Sequence, residues 1–168
     1  MIDRLKTRAS GEQGFTLIEL LVVIIILGIL LAIAVPSYLS FKDRANKSAA
    51  QANVRAVLPD IESYNADNTP GSTSDPDASA TDNGYQGMTS VLLKSKYDQA
   101  FPTTVWIAGE AAVPATIAAG TAVAALGAPT ATDYCVISQN GSWYAWKHGP
   151  GGQILVGTTL NNVCTSTP

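Results

Sequence analysis

The chain has 168 residues, of which 46% are hydrophobic and 14% are charged, and its formal net charge is −3. This length fits one folded domain with a short additional segment. The sequence offers no polybasic face that would predict nucleic-acid binding, and it contains no nucleophile elbow, phosphate-binding loop or metal-binding helix motif. We therefore expect a non-enzyme without cofactor or metal.

The N-terminal residues combine a basic leader with a long apolar segment. Arg4, Lys6 and Arg8 outnumber the acids of residues 1–14, and no formal charge occurs in residues 20–41. This uncharged segment of about 22 residues is long enough for a membrane-spanning helix, which needs about 20 residues. Because basic residues before such a helix stay in the cytoplasm, the C-terminal part is expected outside the cytoplasmic membrane.

One acidic residue, Glu19, lies at the leading edge of the apolar segment. A carboxylate in an apolar helix is unfavourable unless it has a partner, so Glu19 is a functional-site hypothesis. The helix also contains two weak points. Pro36 lacks a backbone donor and predicts a kink, and Gly28 lowers helix stability eight residues earlier. Both residues are also tolerated in ordinary membrane helices.

Gly14 followed by Phe15-Thr16-Leu17-Ile18-Glu19 and an apolar helix resembles the prepilin motif of type IV pilins and pseudopilins. The resemblance implies that a prepilin peptidase cleaves between Gly14 and Phe15 and that the new amine of Phe15 is methylated. It further implies that Glu19 forms a salt bridge with the Phe15 amine of a neighbouring subunit. The helices would then pack into a filament core, with local unwinding between Gly28 and Pro36.

A conventional secretory signal peptide is the alternative interpretation of the same residues. Residues 20–31 would form its apolar core, and Ala32-Ile33-Ala34 offers a small-residue cleavage pattern. Glu19 interrupts the basic-to-apolar transition, however, and the helical pattern continues beyond the cleavage point. The two interpretations predict different mature N-termini, Phe15 or Val35.

The helical pattern continues past Pro36 as an amphipathic segment, which predicts one stalk helix over residues 15–64 with a membrane part at about 15–38. Pro59 is expected to kink or end the regular helix. Two apolar faces are predicted. The one made mainly of small residues permits close helix approach and contains Phe41, Ala45, Ala49, Ala52 and Ala56; the bulkier one suits packing on a sheet and contains Val54, Val57, Leu58, Ile61 and Tyr64.

The remaining residues, 65–168, predict a small α+β head domain. Residues 65–87 are expected to form a loop, whose Asp75, Asp77 and Asp82 are more consistent with a solvated acidic loop than with a calcium site. Residues 88–97 predict a short helix and residues 103–108 a strand. Residues 110–132 are ambiguous, with one strand expected within residues 115–126.

The C-terminal residues predict an antiparallel meander. Strands are expected at residues 134–139, 142–148 and 153–157, separated by an Asn140-Gly141 hairpin turn and a turn over residues 149–152. His148 is expected to be an exposed residue at a strand end. The overall expectation is a long N-terminal helix packed against a small antiparallel sheet, an α+β fold like that of type IV pilins.

Two cysteines occur late in the chain, Cys135 and Cys164. Outside the cytoplasmic membrane a disulfide between them is expected, and many type IV pilins resemble this arrangement. Free thiols, or half of a metal site, are the alternatives. With one histidine and no Cys-x-x-Cys, zinc is not favoured.

These features together predict a structural subunit of a type IV pilus, the major one, serving adhesion, motility or surface attachment. Its expected partners are further copies of itself, the prepilin peptidase, the assembly platform and, before assembly, the membrane. It would move from the cytoplasmic membrane to an extracellular filament. A pseudopilin of a type II secretion or DNA-uptake system is the alternative, and a conventionally secreted or membrane-anchored binding domain is a further one.

Overall fold

A computed structural model describes residues 14–109, residues 127–159 and Cys164. The expected leader, apart from Gly14, and the strand expected within residues 115–126 lie outside these described residues. The chain divides into two compact units, Met1–Phe41 and Lys42–Pro168. In the first unit, the described residues from Leu17 onward are helical and exposed.

The longest element is α1, which extends over Leu17–Asp67. It begins two residues later and ends three residues later than the predicted stalk, and the alternative that it ends at Pro59 is wrong. The missing donor of Pro59 is tolerated because buried Val57 and Ile61 anchor the helix on both sides of the proline. The Ser63 hydroxyl also donates to the Pro59 carbonyl oxygen at 2.9 Å.

Helix α2 and the four-stranded sheet confirm the predicted head elements; β2 is shifted by one residue and the other elements are shorter than predicted. The elements are α2 (Ser90–Lys96), β1 (Val105–Ile107), β2 (Cys135–Asn140), β3 (Trp143–His148) and β4 (Leu155–Gly157). Strands pair antiparallel in the order β1-β2-β3-β4. The Thr89 hydroxyl accepts from the Leu92 amide, so it caps the start of α2. The α+β fold class and the meander are therefore confirmed.

The turn between β2 and β3 lies one residue later than predicted. Asn140 pairs with Trp143 inside the ladder, so Gly141 and Ser142 form the turn. The φ angle of Gly141 is 57°, and no positive φ occurs at Ser142. This φ pattern is that of a type II′ turn, which places glycine first. A side chain at Gly141 would also approach Asn46 of α1, with its Cβ 2.6 Å from the amide nitrogen.

The main core of the second unit lies between α1 and one face of the sheet. The bulkier predicted face of α1 is confirmed, since Val54, Val57, Ile61 and Tyr64 are buried. Leu58 is only partly buried, whereas Ala50, outside both predicted faces, is fully buried. The sheet contributes Val105, Ile107, Val136 and Ala145, and Tyr85, Met88, Leu93, Phe101 and Tyr134 complete the core. Of the predicted small face, Ala45, Ala52 and Ala56 are exposed.

The opposite face of the sheet carries a continuous apolar row that crosses all four strands. Trp106 lies opposite Ile137 in the β1–β2 ladder, Ile137 lies opposite Trp146, and Trp146 lies opposite Leu155. Ile137 is fully buried, whereas Leu155 is 47% exposed. Cross-strand pairs of aromatic and branched side chains stabilise sheets. The sheet therefore has two apolar faces, and only one of them packs on α1.

The loop after α1 is attached to the end of the helix by two polar side chains. The Tyr64 hydroxyl donates to the Gln86 carbonyl oxygen at 2.7 Å and to Asp77 Oδ2 at 3.1 Å. The Asn68 amide donates to the carbonyl oxygens of Gly84 and Gln86. Asp77 thus takes part in the hydrogen bonding of the loop, as does Asp75, which accepts from the Asp77 amide.

Four tyrosines make the stability of the second unit dependent on alkaline pH. Burial is the main cause that raises the pKa of Tyr64, Tyr97 and Tyr134 and raises that of Tyr85 to about 12. Their raised pKa values mean that the folded state holds protons that the unfolded chain releases near pH 10. This contribution to stability is complete below pH 10 and is lost as the pH rises through the folded pKa values.

We therefore expect the free energy of unfolding of the full chain in detergent to fall between pH 9 and pH 11, by about 1 kcal/mol per buried tyrosine. Burial lowers the pKa of Lys147 and offsets part of this loss, because that group acts with the opposite sign. Tyr134→Phe should reduce the slope, whereas Tyr38→Phe, at an exposed position, should leave it unchanged. Urea unfolding at each pH measures the effect, and a flat profile would contradict the prediction.

Candidate assembly site at the start of the helix

The residues that precede α1 are exposed and not helical. Gly14, Phe15 and Thr16 form this segment, and Phe15 is 76% exposed. A Cβ added at Gly14 would meet no atom within 4 Å. Packing among the described residues therefore does not require glycine at this position. The exposed segment is accessible to another molecule.

Thr16 and Glu19 form one half of a capping box at the start of α1. The Glu19 amide donates to the Thr16 hydroxyl oxygen at 3.3 Å, and that hydroxyl donates to Glu19 Oε2 at 3.4 Å. The amides of Glu19 and Leu20 also donate to the Thr16 carbonyl oxygen. The Thr16 oxygens thus satisfy helix-start donors that would otherwise be orphaned. The Glu19 carboxylate adds one long bond to the Thr16 hydroxyl.

The first half of α1 exposes apolar side chains on all sides. From Leu17 to Phe41 every described residue is exposed. In the described residues, α1 is the one helix long and apolar enough to cross a membrane, and it lies near the N-terminus. An exposed apolar surface of this size marks contact with lipid or with other protein surfaces. Glu19 is the acidic residue in its first turn.

The helix remains continuous at both predicted weak points. Gly28 and Pro36 lie within α1, and a Cβ at Gly28 would meet no atom within 4 Å. Immediately after the proline, the Ser37 hydroxyl donates to the Ile33 carbonyl oxygen at 3.1 Å. Serine bonds of this i−4 type often bend helices. Unwinding between Gly28 and Pro36 stays a prediction about the assembled state.

The predicted disulfide is present in the second unit. Cys135 and Cys164 form a disulfide with Cα atoms 6.0 Å apart, as predicted, and both are 6% exposed. The bridge attaches Cys164 to the start of β2. It lies within a second apolar cluster with Ala108, Ile137 and Trp146.

Lys147 is buried on the opposite face of the sheet from this cluster, because it alternates with Trp146 along β3. Its ammonium donates to the carbonyl oxygens of Gly149, Pro150 and Gly152, the latter two at 2.8 and 2.9 Å. It also lies 5.8 Å from the centroid of the Tyr134 ring. The buried charge is therefore compensated by three carbonyl dipoles, and it fixes the turn between β3 and β4.

The prediction that His148 is an exposed strand-end residue is wrong in one respect. His148 does end β3, but its side chain is only 25% exposed, and its Nε2 lies 2.7 Å from Asp133 Oδ2. Asp133 reaches His148 because it lies two residues before β2, whose first residue, Cys135, is opposite His148 in the ladder. In the described residues, no group of three or more His, Cys, Asp or Glu side chains is arranged to hold a metal ion.

Comparison with known proteins gives matches at the same N-terminal residues. The prokaryotic N-terminal methylation motif matches residues 9–35. The type II secretion system core protein G of Pseudomonas aeruginosa is 42% identical over 57 residues, which are 34% of this chain and 40% of that protein. The type IV major pilin protein PilA of Myxococcus xanthus is 48% identical over 46 residues, 27% of this chain and 21% of that protein.

The type IV narrow pilus major component PilA5 of Thermus thermophilus is 53% identical over 45 residues, 27% of this chain and 39% of that protein. At its N-terminus the chain is similar to type IV pilins and pseudopilins. It spans less than half of the length of these three relatives. No solved structure matches it. The relatives are named as pilus and secretion-system components, in line with a structural role.

Two structural features were not predicted from the sequence. The capping box had a readable signal, because Thr16-x-x-Glu19 precedes an apolar segment. The buried ammonium of Lys147 had none, since a lysine near the end of a short strand is usually exposed. The predicted site residues Phe15 and Glu19 do lie on one short exposed segment. Cys135 and Cys164 lie together in the second unit.

Proposed function

We propose that this chain is the repeating subunit of a type IV pilus, serving adhesion, motility or surface attachment. It is inserted in the cytoplasmic membrane as a prepilin, cleaved after Gly14 and methylated on the amine of Phe15. It then polymerises through the apolar half of α1 into an extracellular filament. The observation that carries this proposal is the exposed apolar first half of α1, which has Glu19 in its first turn.

Transfer of this helix from lipid into a filament core replaces lipid contacts with helix contacts. Such association gains little from the hydrophobic effect itself, because lipid tails are also apolar, and it depends on packing and polar contacts. Glu19 supplies the polar contact by pairing with the Phe15 amine of a neighbouring copy. At about 4 Å and an effective dielectric constant near 20, the pair gains about 4 kcal/mol before desolvation.

The capping box adds a step to this mechanism. Before assembly, Glu19 Oε2 accepts only a long bond of 3.4 Å from the Thr16 hydroxyl. A carboxylate oxygen bound so weakly is available to a stronger cationic donor. The Thr16 hydroxyl can continue to accept from the Glu19 amide while the carboxylate turns to the neighbour. Helix capping and subunit docking are therefore compatible.

A pseudopilin of a type II secretion system is the second candidate, and the similarity to core protein G of Pseudomonas aeruginosa favours it. A DNA-uptake system would require the same processing and the same helix. The two candidates differ in the amount of filament. A major pilin accumulates in long surface filaments, whereas a pseudopilin does not form them at ordinary levels.

The test is to produce the full chain in cells that contain a prepilin peptidase and a pilus assembly platform. We expect a mature chain that begins with methylated Phe15 by mass spectrometry, and surface filaments in which this subunit predominates after shearing. Gly14→Val is the matched control and should remain uncleaved. A mature chain that begins at Val35 would support a signal peptide and contradict the proposal. A Phe15 terminus without surface filaments would favour the pseudopilin.

A further inference from the structure

Charges in the second unit are segregated along the chain. Residues 42–55, here called the basic segment, contain four basic side chains and one acidic side chain, a net charge of +3. The described residues from 56 onward carry eight acidic and three lysine side chains, a net charge of −5. The basic side chains of the segment are Lys42, Arg44, Lys47 and Arg55. One chain therefore presents two surfaces of opposite sign.

Among the described residues of one copy, no carboxylate forms an ion pair with the cations of the basic segment. Lys42, Arg44 and Arg55 are exposed, and among the described residues none of them lies within 4.0 Å of a carboxylate oxygen. Lys47 is occupied differently, since its ammonium lies 5.2 Å from the centroid of the Trp143 ring. Exposed Ala45 and Ala52 on the same helix leave room for close approach. The segment is a basic, sterically open surface.

Three carboxylates lie near the ends of α1 and α2, where the last turn of α2 also carries the exposed Lys94 and Lys96. Asp60, Asp67 and Asp98 are here called the acidic end. The Asp67 carboxylate accepts from the Tyr97 hydroxyl at 3.0 Å, which places it beside the end of α2. Burial, and after it the charge of Asp98, raises the pKa of the Asp60 carboxyl, so these two carboxylates repel each other. A cation from outside the chain would relieve that repulsion.

The two surfaces are displaced along one helix. Asp60 follows Arg44 by about 16 residues, which correspond to about 24 Å of helix. A surface and its complement at different places on the same molecule make a heterologous contact, which generates an open filament when the rotation does not close. We propose that the basic segment of one copy docks on the acidic end of a second copy displaced along the helix direction.

This contact deepens the proposed function and rests on it, because it names a surface by which head domains meet during polymerisation. Individual exposed ion pairs contribute little to stability, so their effect lies in the choice of register and in salt dependence. The apolar helices supply the attraction, and the charged surfaces select one axial displacement among several. Electrostatic complementarity commonly fixes register in this way.

The test uses charge reversal in the full chain under conditions in which the wild type forms filaments. Arg44→Glu with Arg55→Glu, and separately Asp60→Lys with Asp98→Lys, should each lower the yield of sheared filaments by about tenfold, because like charges then face each other. All four substitutions in one chain should restore most of the yield. Thr158→Glu, which adds a charge at an exposed residue just after β4, is the control and should have little effect.

Cross-linking provides a second measurement. Arg44→Cys and Asp60→Cys, made in separate chains and produced together, should form a mixed dimer in filaments, whereas either variant alone should not. Unchanged yields in both reversal variants would overturn the docking contact and leave the proposed pilus subunit intact. Loss without rescue, in chains that still fold and form the Cys135–Cys164 bridge, would also overturn it and point to lipid headgroups as partner of the basic segment. A wild type that forms no filaments contradicts the proposed function itself.

Discussion

Replacement of Glu19 with glutamine is expected to abolish filament assembly while cleavage after Gly14 continues. Glutamine is also found at this position of a capping box, so the start of α1 should remain intact. The substitution removes only the charge, which is the property that pairing with the Phe15 amine requires. Loss of a pair that gains about 4 kcal/mol before desolvation should lower filament yield by more than about tenfold. Shearing, immunoblotting and the mass of the mature chain measure the two outcomes.

Two further variants separate the roles of the carboxylate. Thr16→Val removes the capping hydroxyl but keeps the charge of Glu19, and it should assemble nearly as well as the wild type. Glu19→Ala removes the carboxylate but leaves the Thr16 hydroxyl in place to accept from the amide of residue 19, and it should resemble Glu19→Gln. If Glu19→Gln assembled normally while Thr16→Val did not, the structural role seen within one copy would be the whole role of Glu19, and the salt bridge would be wrong.

Removal of the disulfide is expected to have the largest effect on stability. Cys135 and Cys164 are separated by 29 residues, and a closed loop of this length corresponds to about 3–4 kcal/mol in the chain-entropy model. Because domains are stable by only about 5–15 kcal/mol, the double variant Cys135→Ser/Cys164→Ser should unfold at a much lower urea concentration. Measurements on the full chain in detergent test this.

The control for the disulfide is the wild type under reducing conditions, which should match the double variant. Both sulfur atoms lie in a buried apolar cluster, so the serines add a smaller polar cost of their own. Cys135→Ala/Cys164→Ala separates that cost from the loss of the covalent bond. A difference below about 1 kcal/mol between oxidised and reduced wild type would contradict the prediction.

The sequence correctly predicted the helices and strands that have a strong local pattern of apolar residues. The apolar segment and its continuation predicted α1, and Val54, Val57, Ile61 and Tyr64 were predicted on the face that is in fact buried. Periodic burial of this kind follows from helix geometry alone. The three C-terminal strands followed from β-branched and aromatic residues between glycine-rich turns.

Features decided by tertiary contacts escaped prediction. Pro59 signals a helix end when considered locally, but packing on both sides keeps the helix continuous to Asp67. Asn140-Gly141 is a strong local turn signal, yet the turn forms at Gly141 and Ser142, where Gly141 takes a positive φ next to Asn46. The carbonyl cage around Lys147 is local in the chain, because Gly149, Pro150 and Gly152 supply its oxygens. The glycine-rich turn was predicted, but its residue types do not show that its carbonyls turn toward the lysine.

The two outer strands of the described sheet have a consequence for aggregation. β1 and β4 lie at its edges, and each has only three residues. Long exposed edges are templates for strand pairing between molecules, and short edges are one of the ways in which proteins avoid it. Copies held at high local concentration could therefore adhere through their helices with little risk of fusing through their sheets. In this chain, the proposed assembly surface and the surface most prone to amyloid-like pairing lie on different secondary structures.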